Sequence, residues 1–223
     1  METNTALERL KRVGADQFGI FTVAQAAAAG VDAATLEELC REFHVRFSVD
    51  GAYKLHGYDT HHDVTYALWL MLDPETPLER REPPGCGVLS HATAGDWLDT
   101  YDDGVLDVTF PLEASLPPNM ANNRIHVHRA NLKQDEWFIH QGVPVTTPAR
   151  MVMDLLDTRD EDETAIGRRL VMLALSGMVD FDRLSVQLDG YADRQGRGDG
   201  RAFVKMLRNA ARSDSALKHE WLR

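Results

Sequence analysis

A tight turn between two short helical segments, within residues 21–36, most constrains how this chain folds. Thr22 can accept a hydrogen bond from an unpaired N–H in the first turn of one helix, and Asp32 can do so for the next helix. Small Ala26 lets a second helix cross closely, and Gly30 can adopt the left-handed conformation that residues with a Cβ resist. This order of caps and turn predicts a helix-turn-helix, a motif whose second helix enters the major groove of DNA.

The flanking segments extend this motif to a winged helix. We expect three helices, over residues 5–14, 22–29 and 32–43. Helical spacing places four apolar side chains on the inner face of the third helix: Leu36, Leu39, Cys40 and Phe43. Two β-prone runs over residues 45–55 flank Asp50 and Gly51, a pair that favours the positive φ angles of a tight hairpin. Three helices followed by a hairpin predict a winged-helix DNA-binding domain at residues 1–57.

The remaining residues, 58–223, predict a second domain of helices and strands. We expect helices at 62–72 and 90–100, strands at 106–110, 125–129 and 137–140, and helices at 147–157, 162–178, 180–193 and 200–212. Thr147 and Asp180 are expected to cap two of the later helices. His61 and His62 are expected to be exposed capping residues. The predicted fold class is α+β, with an N-terminal winged helix-turn-helix followed by a mixed α/β domain whose C-terminal part is helical.

The net charge of −11 argues against a protein that coats DNA, because phosphate contacts require Lys and Arg. The net charge is −2 over residues 1–57, −9 over 58–147 and 0 over 148–223, so the acidity lies in the middle of the chain. No apolar run approaches membrane-spanning length, and the N-terminus lacks a signal-peptide pattern. Cys40 and Cys86 are too few for a disulfide framework or a zinc site. We therefore expect a cytoplasmic protein without a membrane partner.

Two segments beyond the hairpin carry further patterns. A Ser-His-x-x-Ala segment begins at Ser90, and a Pro-Val-Thr-Thr-Pro-Ala-Arg segment occupies residues 144–150. Together with the Thr-x-x-Gln-Ala-x-x-x-Gly-Val pattern that begins at Thr22, they resemble the AbiEi family of antitoxin and transcriptional regulator proteins. The resemblance covers about residues 20–212, and the second segment is its most specific part. The matching residues, in order, are Thr22, Gln25, Ala26, Gly30, Val31, Gly51, Tyr53, Leu55, Ser90, His91, Ala94, Val127, His128, Arg129 and Pro144 to Arg150.

This resemblance implies the antitoxin of a type IV toxin–antitoxin, or abortive-infection, operon. Such antitoxins bind inverted repeats in their own promoter through the winged helix and repress it. They also counteract a nucleotidyltransferase-fold toxin through the second domain. The expected partners are therefore promoter DNA with inverted repeats and a cognate nucleotidyltransferase-like toxin. We expect no catalysis, no cofactor and no metal, and either a monomer in solution or cooperative pairing on DNA.

The predicted recognition helix departs from the family pattern, which places Arg or Lys early in this helix. Glu37 and Glu38 here repel phosphates and can accept a hydrogen bond only from cytosine. The candidates that remain are Thr35 for a base edge and five cationic residues for phosphates: Arg41, Arg46, Lys54, Lys11 and Arg12. DNA binding is thus expected to be weakened, and a wing used for protein contacts stays as the alternative.

A metal site or a nuclease is an alternative interpretation of the middle of the chain. His126 and His128 share one face of a predicted strand, and His140 or Asp107 would have to supply a third metal ligand. We favour a half-exposed strand with outward polar residues. Three carboxylates, Asp102, Asp103 and Asp107, resemble a magnesium site, but no Glu-x-Lys pair of the common nuclease type accompanies them. A loop and a strand edge explain them better.

Ser90 and His91 resemble a nucleophile with its base. Adjacent residues on a helix point about 100° apart, so this pair is not expected to interact. No Gly-x-Ser-x-Gly elbow is present. We therefore expect Ser90 to be a helix cap.

A row of cationic residues lies on one face of the predicted helix 200–212, with spacings of four, three and four: Arg201, Lys205, Arg208 and Arg212. One interpretation is a solvated face that pairs with the acidic middle of the chain. The other is a surface that contacts flanking DNA phosphates or docks the toxin.

Three other functions stay open beside a promoter-binding antitoxin. One is a protein-interaction antitoxin whose winged helix contacts the toxin instead of DNA. Another is a stand-alone transcriptional regulator. The last is a metal-dependent enzyme in the middle domain, which stoichiometric zinc or manganese in the purified protein would support.

Overall fold

The chain contains both helices and strands in a computed structural model that describes residues 3–58, 60–99, 102–117, 122–159 and 161–213. The helices are α1 (Thr3–Gly14), α2 (Val23–Ala28), α3 (Ala33–Arg41), α4 (Asp63–Met71), α5 (His91–Asp99), α6 (Pro148–Thr158), α7 (Glu163–Leu175), α8 (Phe181–Arg194) and α9 (Gly200–Ser213). The strands are β1 (Ile20–Thr22), β2 (Val45–Val49), β3 (Ala52–Leu55), β4 (Val88–Leu89), β5 (Leu106–Phe110), β6 (Ile125–Arg129), β7 (Trp137–His140) and β8 (Val143–Thr146). The protein is therefore mixed α+β, and among its described helices none is long and apolar enough to cross a bilayer.

Most elements lie where the sequence predicts them, including the hairpin of β2 and β3 and the four helices of the last third. Strands β1, β4 and β8 are not predicted. They contain only two to four residues each, too few for an alternating pattern to be recognised. Short strands of this kind form because neighbouring strands pair with them.

Backbone packing divides the chain into two units. The first unit comprises Met1–Leu89, Thr100–Leu132 and Ile139–Pro144, and the second comprises Ser90–Asp99, Lys133–Phe138 and Val145–Arg223. The predicted domain boundary at residue 57 lies inside the first unit, since α4 packs against β1 and β2. The units therefore differ from the predicted division into 1–57 and 58–223.

The N-terminal part of the first unit is built on a three-stranded antiparallel sheet of order β1-β3-β2. Phe21 pairs with Tyr53 in its register, and Arg46 pairs with Lys54. Helices α1, α2 and α3 bury apolar side chains against this sheet, and full burial stabilises each large one by about 1.5–3 kcal/mol. This core contains Ala6, Leu10, Phe21, Ala26, Val31, Leu36, Leu39, Val45 and Leu55.

Helix α4 is buried on nearly all sides, and side chains from other segments hold its ends. Asp102 Oδ2 accepts hydrogen bonds from the N–H groups of Val64 and Thr65 at 2.9 and 3.2 Å. At the other end, Arg81 donates to the carbonyl oxygen of Trp69 at 3.0 Å. The expected capping role of His62 is wrong, because His62 is only 3% exposed and makes no side-chain cap. The distant Asp102 caps the helix instead.

A second sheet, of five strands, has the order β6-β5-β4-β8-β7. Strands β4 and β5 run antiparallel, whereas β5 and β6 run parallel with Asp107 opposite His126. The parallel pair brings residues of two distant segments onto neighbouring positions of the sheet.

The second unit is a helical assembly centred on α7. Gly167 allows α7 and α9 to approach closely, because a Cβ at this position would lie 2.1 Å from the carbonyl oxygen of Leu207. Arg169 links α7 to α5 through the carboxylates of Glu161 and Asp96. Burial alone lowers the pKa of Arg169, but these two carboxylates raise it above its ordinary value. This ion cluster connects α5 with α7.

Phe43 lies outside the core, contrary to its predicted place on the inner face of the third helix. The helix ends at Arg41, and Phe43 then adopts φ +60° and is 83% exposed. The His44 N–H donates to the Leu39 carbonyl oxygen at 2.9 Å, which closes the helix end. Helical spacing no longer applies beyond this point, so the side chain turns outward.

The conformation of Phe43 predicts an unusual response to substitution. We expect Phe43→Gly to be more stable than Phe43→Ala by about 1 kcal/mol, because only glycine adopts this φ without steric cost. Both variants remove the same exposed ring, so their difference isolates the backbone conformation. Urea denaturation measures it. Equal stabilities, or a more stable alanine variant, would contradict the left-handed conformation.

Candidate nucleic-acid interface

Two capping side chains hold the turn between α2 and α3, as predicted. Thr22 Oγ1 accepts a hydrogen bond from the Gln25 N–H at 3.0 Å, and Gln25 Oε1 accepts one from the Thr22 N–H at 3.1 Å. Asp32 Oδ1 accepts from the Thr35 N–H at 2.8 Å, and Gly30 has φ +76°. The predicted caps and glycine turn are confirmed.

The exposed face of α3 is mostly apolar and acidic. Ala33, Ala34 and Glu37 are exposed, and Arg41 is its exposed cation in the last turn. Thr35, predicted to contact a base edge, is only 7% exposed. That prediction is corrected, because Thr35 lies on the buried side of α3, beside Leu36.

The cations of the hairpin face a carboxylate of their own chain. Lys54 is 2% exposed, and its ammonium donates to Asp63 Oδ1. Arg46 donates to the other oxygen of the same carboxylate, although more than half of its side chain is exposed. The predicted phosphate contact of Lys54 is therefore corrected, because the ammonium is buried in an ion pair. Arg46 is accessible but partly neutralised.

The two predicted phosphate contacts on α1, Lys11 and Arg12, lie on the surface. Lys11 donates to Glu8 at 2.8 Å, and both side chains are about half exposed. The hydrogen bond and charge of Lys11 lower the pKa of Glu8. Arg12 is exposed in the same helix turn. A pair this exposed is weak, so both cations are accessible to a phosphate.

The second unit brings the four cationic residues of α9 together at a groove of about 380 Å³ between α8 and α9. We name it the α8–α9 groove. Arg201, Lys205, Arg208 and Arg212 line it, with Phe181 and Asp182 from α8 on the opposite side. The predicted single cationic face is therefore confirmed as a geometric feature.

The α8–α9 groove has one aromatic contact and one acidic neighbour. The Arg208 guanidinium lies over the Phe181 ring, 4.2 Å from its centroid. Arg201 Nη2 lies 3.9 Å from Asp182 Oδ1, with both side chains more than four-fifths exposed. Such an exposed pair contributes little, so the positive charge stays available to a partner.

The two histidines of β6 share one carboxylate on β5. Asp107 Oδ1 lies 3.2 Å from His126 Nδ1 and 3.1 Å from His128 Nε2. Asp107, rather than His140, is therefore the partner that the fold supplies. Within the described residues, no group of three or more His, Cys, Asp or Glu is placed to hold a metal ion. The carboxylate orients both imidazoles on a half-exposed strand. This agrees with the interpretation favoured from the sequence.

The neighbouring carboxylates serve the backbone. Asp102 caps α4 and also accepts from the Gly104 N–H at 2.8 Å, while Asp103 accepts from the Val105 N–H at 2.9 Å. Both are therefore engaged in loop geometry. This agrees with the interpretation of the acidic segment as a loop and strand edge.

Ser90 and His91 do interact, contrary to expectation. His91 Nδ1 lies 2.9 Å from Ser90 Oγ, because His91, the first residue of α5, adopts φ +50° and departs from regular helical geometry. The spacing rule for adjacent helical residues therefore does not apply. Ser90 is fully buried and His91 is 4% exposed, so a substrate cannot reach the hydroxyl.

Another cleft of the second unit has a different character. It has a volume of about 600 Å³, and Trp137, Phe138 and Pro148 contribute apolar walls. Thr147 and Pro148 belong to the segment that best carries the family resemblance. Arg183 is the cation among its lining residues, so this cleft is not a phosphate surface comparable to the α8–α9 groove.

No protein-family model matches this chain, and no curated protein sequence matches it. The resemblance to the AbiEi family therefore stays a prediction.

Sequence reasoning missed three residues that shape these surfaces. Asp63 neutralises the hairpin cations, and Phe181 and Asp182 complete the α8–α9 groove. The amphipathic pattern of α8 marks Phe181 as a helix-face residue, but pattern alone does not indicate which helix it faces. No local signal links Asp63 to Lys54.

The buried ion pair predicts that Lys54 matters for folding. We expect Lys54→Ala to lower the free energy of unfolding by about 3 kcal/mol, because it leaves a partly buried carboxylate with one partner. Arg46→Ala is the matched control and should cost less than about 1 kcal/mol, since its side chain is largely solvated. Urea denaturation compares them. Equal losses would contradict the assignment of Lys54 to the interior.

Proposed function

We propose that this protein is an antitoxin-type transcriptional autoregulator that binds inverted repeats in its own promoter and counteracts a nucleotidyltransferase-like toxin. The order of elements in residues 3–55 carries the DNA-binding half of the proposal. The chain there forms a helix, a strand, two helices and a hairpin, with a sheet of order β1-β3-β2, and this order supports the winged-helix interpretation. The antitoxin half rests on the resemblance of residues 20–212.

In the proposed complex α3 lies in the major groove, and a small number of cations contact the phosphates. Lys11 and Arg12 on α1 and Arg41 on α3 are exposed. Arg46 can join them by exchanging Asp63 for a phosphate. Four such contacts give a salt dependence of about −3.6 in log affinity against log salt, which is modest for a DNA-binding protein. Cooperative pairing on inverted repeats compensates for weak single contacts.

Binding to the upstream promoter tests this proposal. We expect a fluorescence anisotropy titration to give specific binding that weakens with salt, relative to a scrambled duplex. Arg41→Ala should weaken binding and lower the salt slope by about 0.9, because one phosphate contact is lost. Arg183→Ala, an exposed substitution on α8, is the control with the same change of charge. No preference for the promoter at low salt would refute the DNA-binding half.

A protein-interaction antitoxin is the second candidate, and a specific surface favours it. Phe43 and Phe47, which lie just after the end of α3, are 83% and 59% exposed. Exposed aromatic rings anchor protein interfaces more often than they contact phosphates. Asp63 meanwhile reduces the charge that the hairpin offers to DNA.

The two candidates differ in what the exposed phenylalanines do. If the winged helix contacts the toxin, Phe43→Ser with Phe47→Ser should abolish rescue of cells that express the toxin, while the melting temperature changes little. Val186→Ser on α8, which removes another exposed apolar side chain, is the control. Full rescue by the double variant would exclude this surface as the toxin contact.

A further inference from the structure

We propose that the α8–α9 groove binds the phosphate backbone of a nucleic acid without regard to base sequence. This goes beyond promoter recognition, because it uses residues of the second unit and does not depend on α3. Among its described lining residues, the groove concentrates positive charge, orients one guanidinium over a ring and offers little free apolar surface.

The positive charge of the groove is concentrated along one face of α9. Arg201, Lys205, Arg208 and Arg212 extend over about 17 Å of α9 at 1.5 Å per residue. Asp182 is the acidic side chain among the lining residues, and it is 92% exposed. A row of this kind in a protein of net charge −11 creates a local field opposite to that of the rest of the chain. A polyanion of extended shape matches such a row.

The cations differ in how they are held. Lys205 forms no hydrogen bond or ion pair with the described residues, and it is exposed. Arg208 is positioned by the Phe181 ring, so its planar guanidinium is pre-oriented. A fixed guanidinium can form a bidentate contact with a phosphate or stack on a base. The groove thus combines an exposed ammonium with an oriented guanidinium.

An acidic protein partner fits the groove less well. Stable protein interfaces depend on apolar or aromatic anchors that are buried on binding. Here Val204 is 2% exposed and the Phe181 ring is covered by Arg208, so apolar surface is already used within the unit. The groove presents mainly positive charge, and positive charge is what binds a phosphate backbone.

The test uses the full chain and a fluorescein-labelled single-stranded oligonucleotide of mixed sequence unrelated to the promoter. We expect binding at low salt, measured by anisotropy over a series of KCl concentrations. Arg201→Gln with Lys205→Gln should lower the salt slope by about 1.4, since each lost single-strand contact lowers it by about 0.7. Arg183→Gln with Arg194→Gln changes the net charge equally, on α8 but outside the groove lining, and should leave the slope unchanged.

The outcomes separate this proposal from promoter recognition. Equal slopes for the two double variants would overturn it, because the effect would then be one of net charge alone. Absence of oligonucleotide binding at low salt would also overturn it, as would capture of a polyglutamate peptide in place of nucleic acid. Failure of promoter recognition would instead appear as loss of the preference over scrambled DNA, with the effect of the groove variants unchanged. Circular dichroism melting of both double variants verifies that they fold.

Discussion

One carboxylate, that of Asp63, determines how the hairpin of this protein can be used. It begins α4 and binds Lys54 and Arg46 through its two oxygens, so the hairpin and the following helix are held by the same group. Lys54 could not be buried without such a partner, because an isolated charge in the interior costs several kcal/mol. The same contact removes charge from the surface that a DNA-binding wing would present. Stability of the fold and strength of phosphate contact are therefore opposed at this position.

The accessible cations of the chain are distributed unevenly between its two units. In the first unit, two cations pair with Asp63. The exposed face of α3 carries Glu37 where a cation could contact a base. In the second unit, Arg201 of the α9 row faces the solvated carboxylate of Asp182. In the proposed function, electrostatic affinity and sequence recognition would then be separable properties of two surfaces. A protein with a net negative charge can bind nucleic acid only where such local concentrations of charge occur.

Features set by neighbours in sequence could be predicted, and features set by distant contacts could not. The caps Thr22, Asp32, Thr147 and Asp180 act within three residues of themselves, and all four form the expected hydrogen bonds. The cationic row of α9 follows from helical spacing alone. The prediction that Lys54 contacts a phosphate is wrong, because the packing of α4 brings Asp63 to this side chain. Phe43 and the Ser90–His91 pair were misassigned because a positive φ at one residue redirects a side chain that helical spacing would place elsewhere.

The requirements of folding do not explain why residue 43 is a phenylalanine. Its left-handed φ costs about 1–2 kcal/mol for a residue with a Cβ, and glycine would end the helix without that cost. Its ring contributes nothing to the core, since it is 83% exposed. Neither helix termination nor packing therefore favours phenylalanine here. A residue that is costly for the fold and largely exposed to solvent supports the proposed protein-interaction surface, to which its neighbour Phe47 adds apolar area.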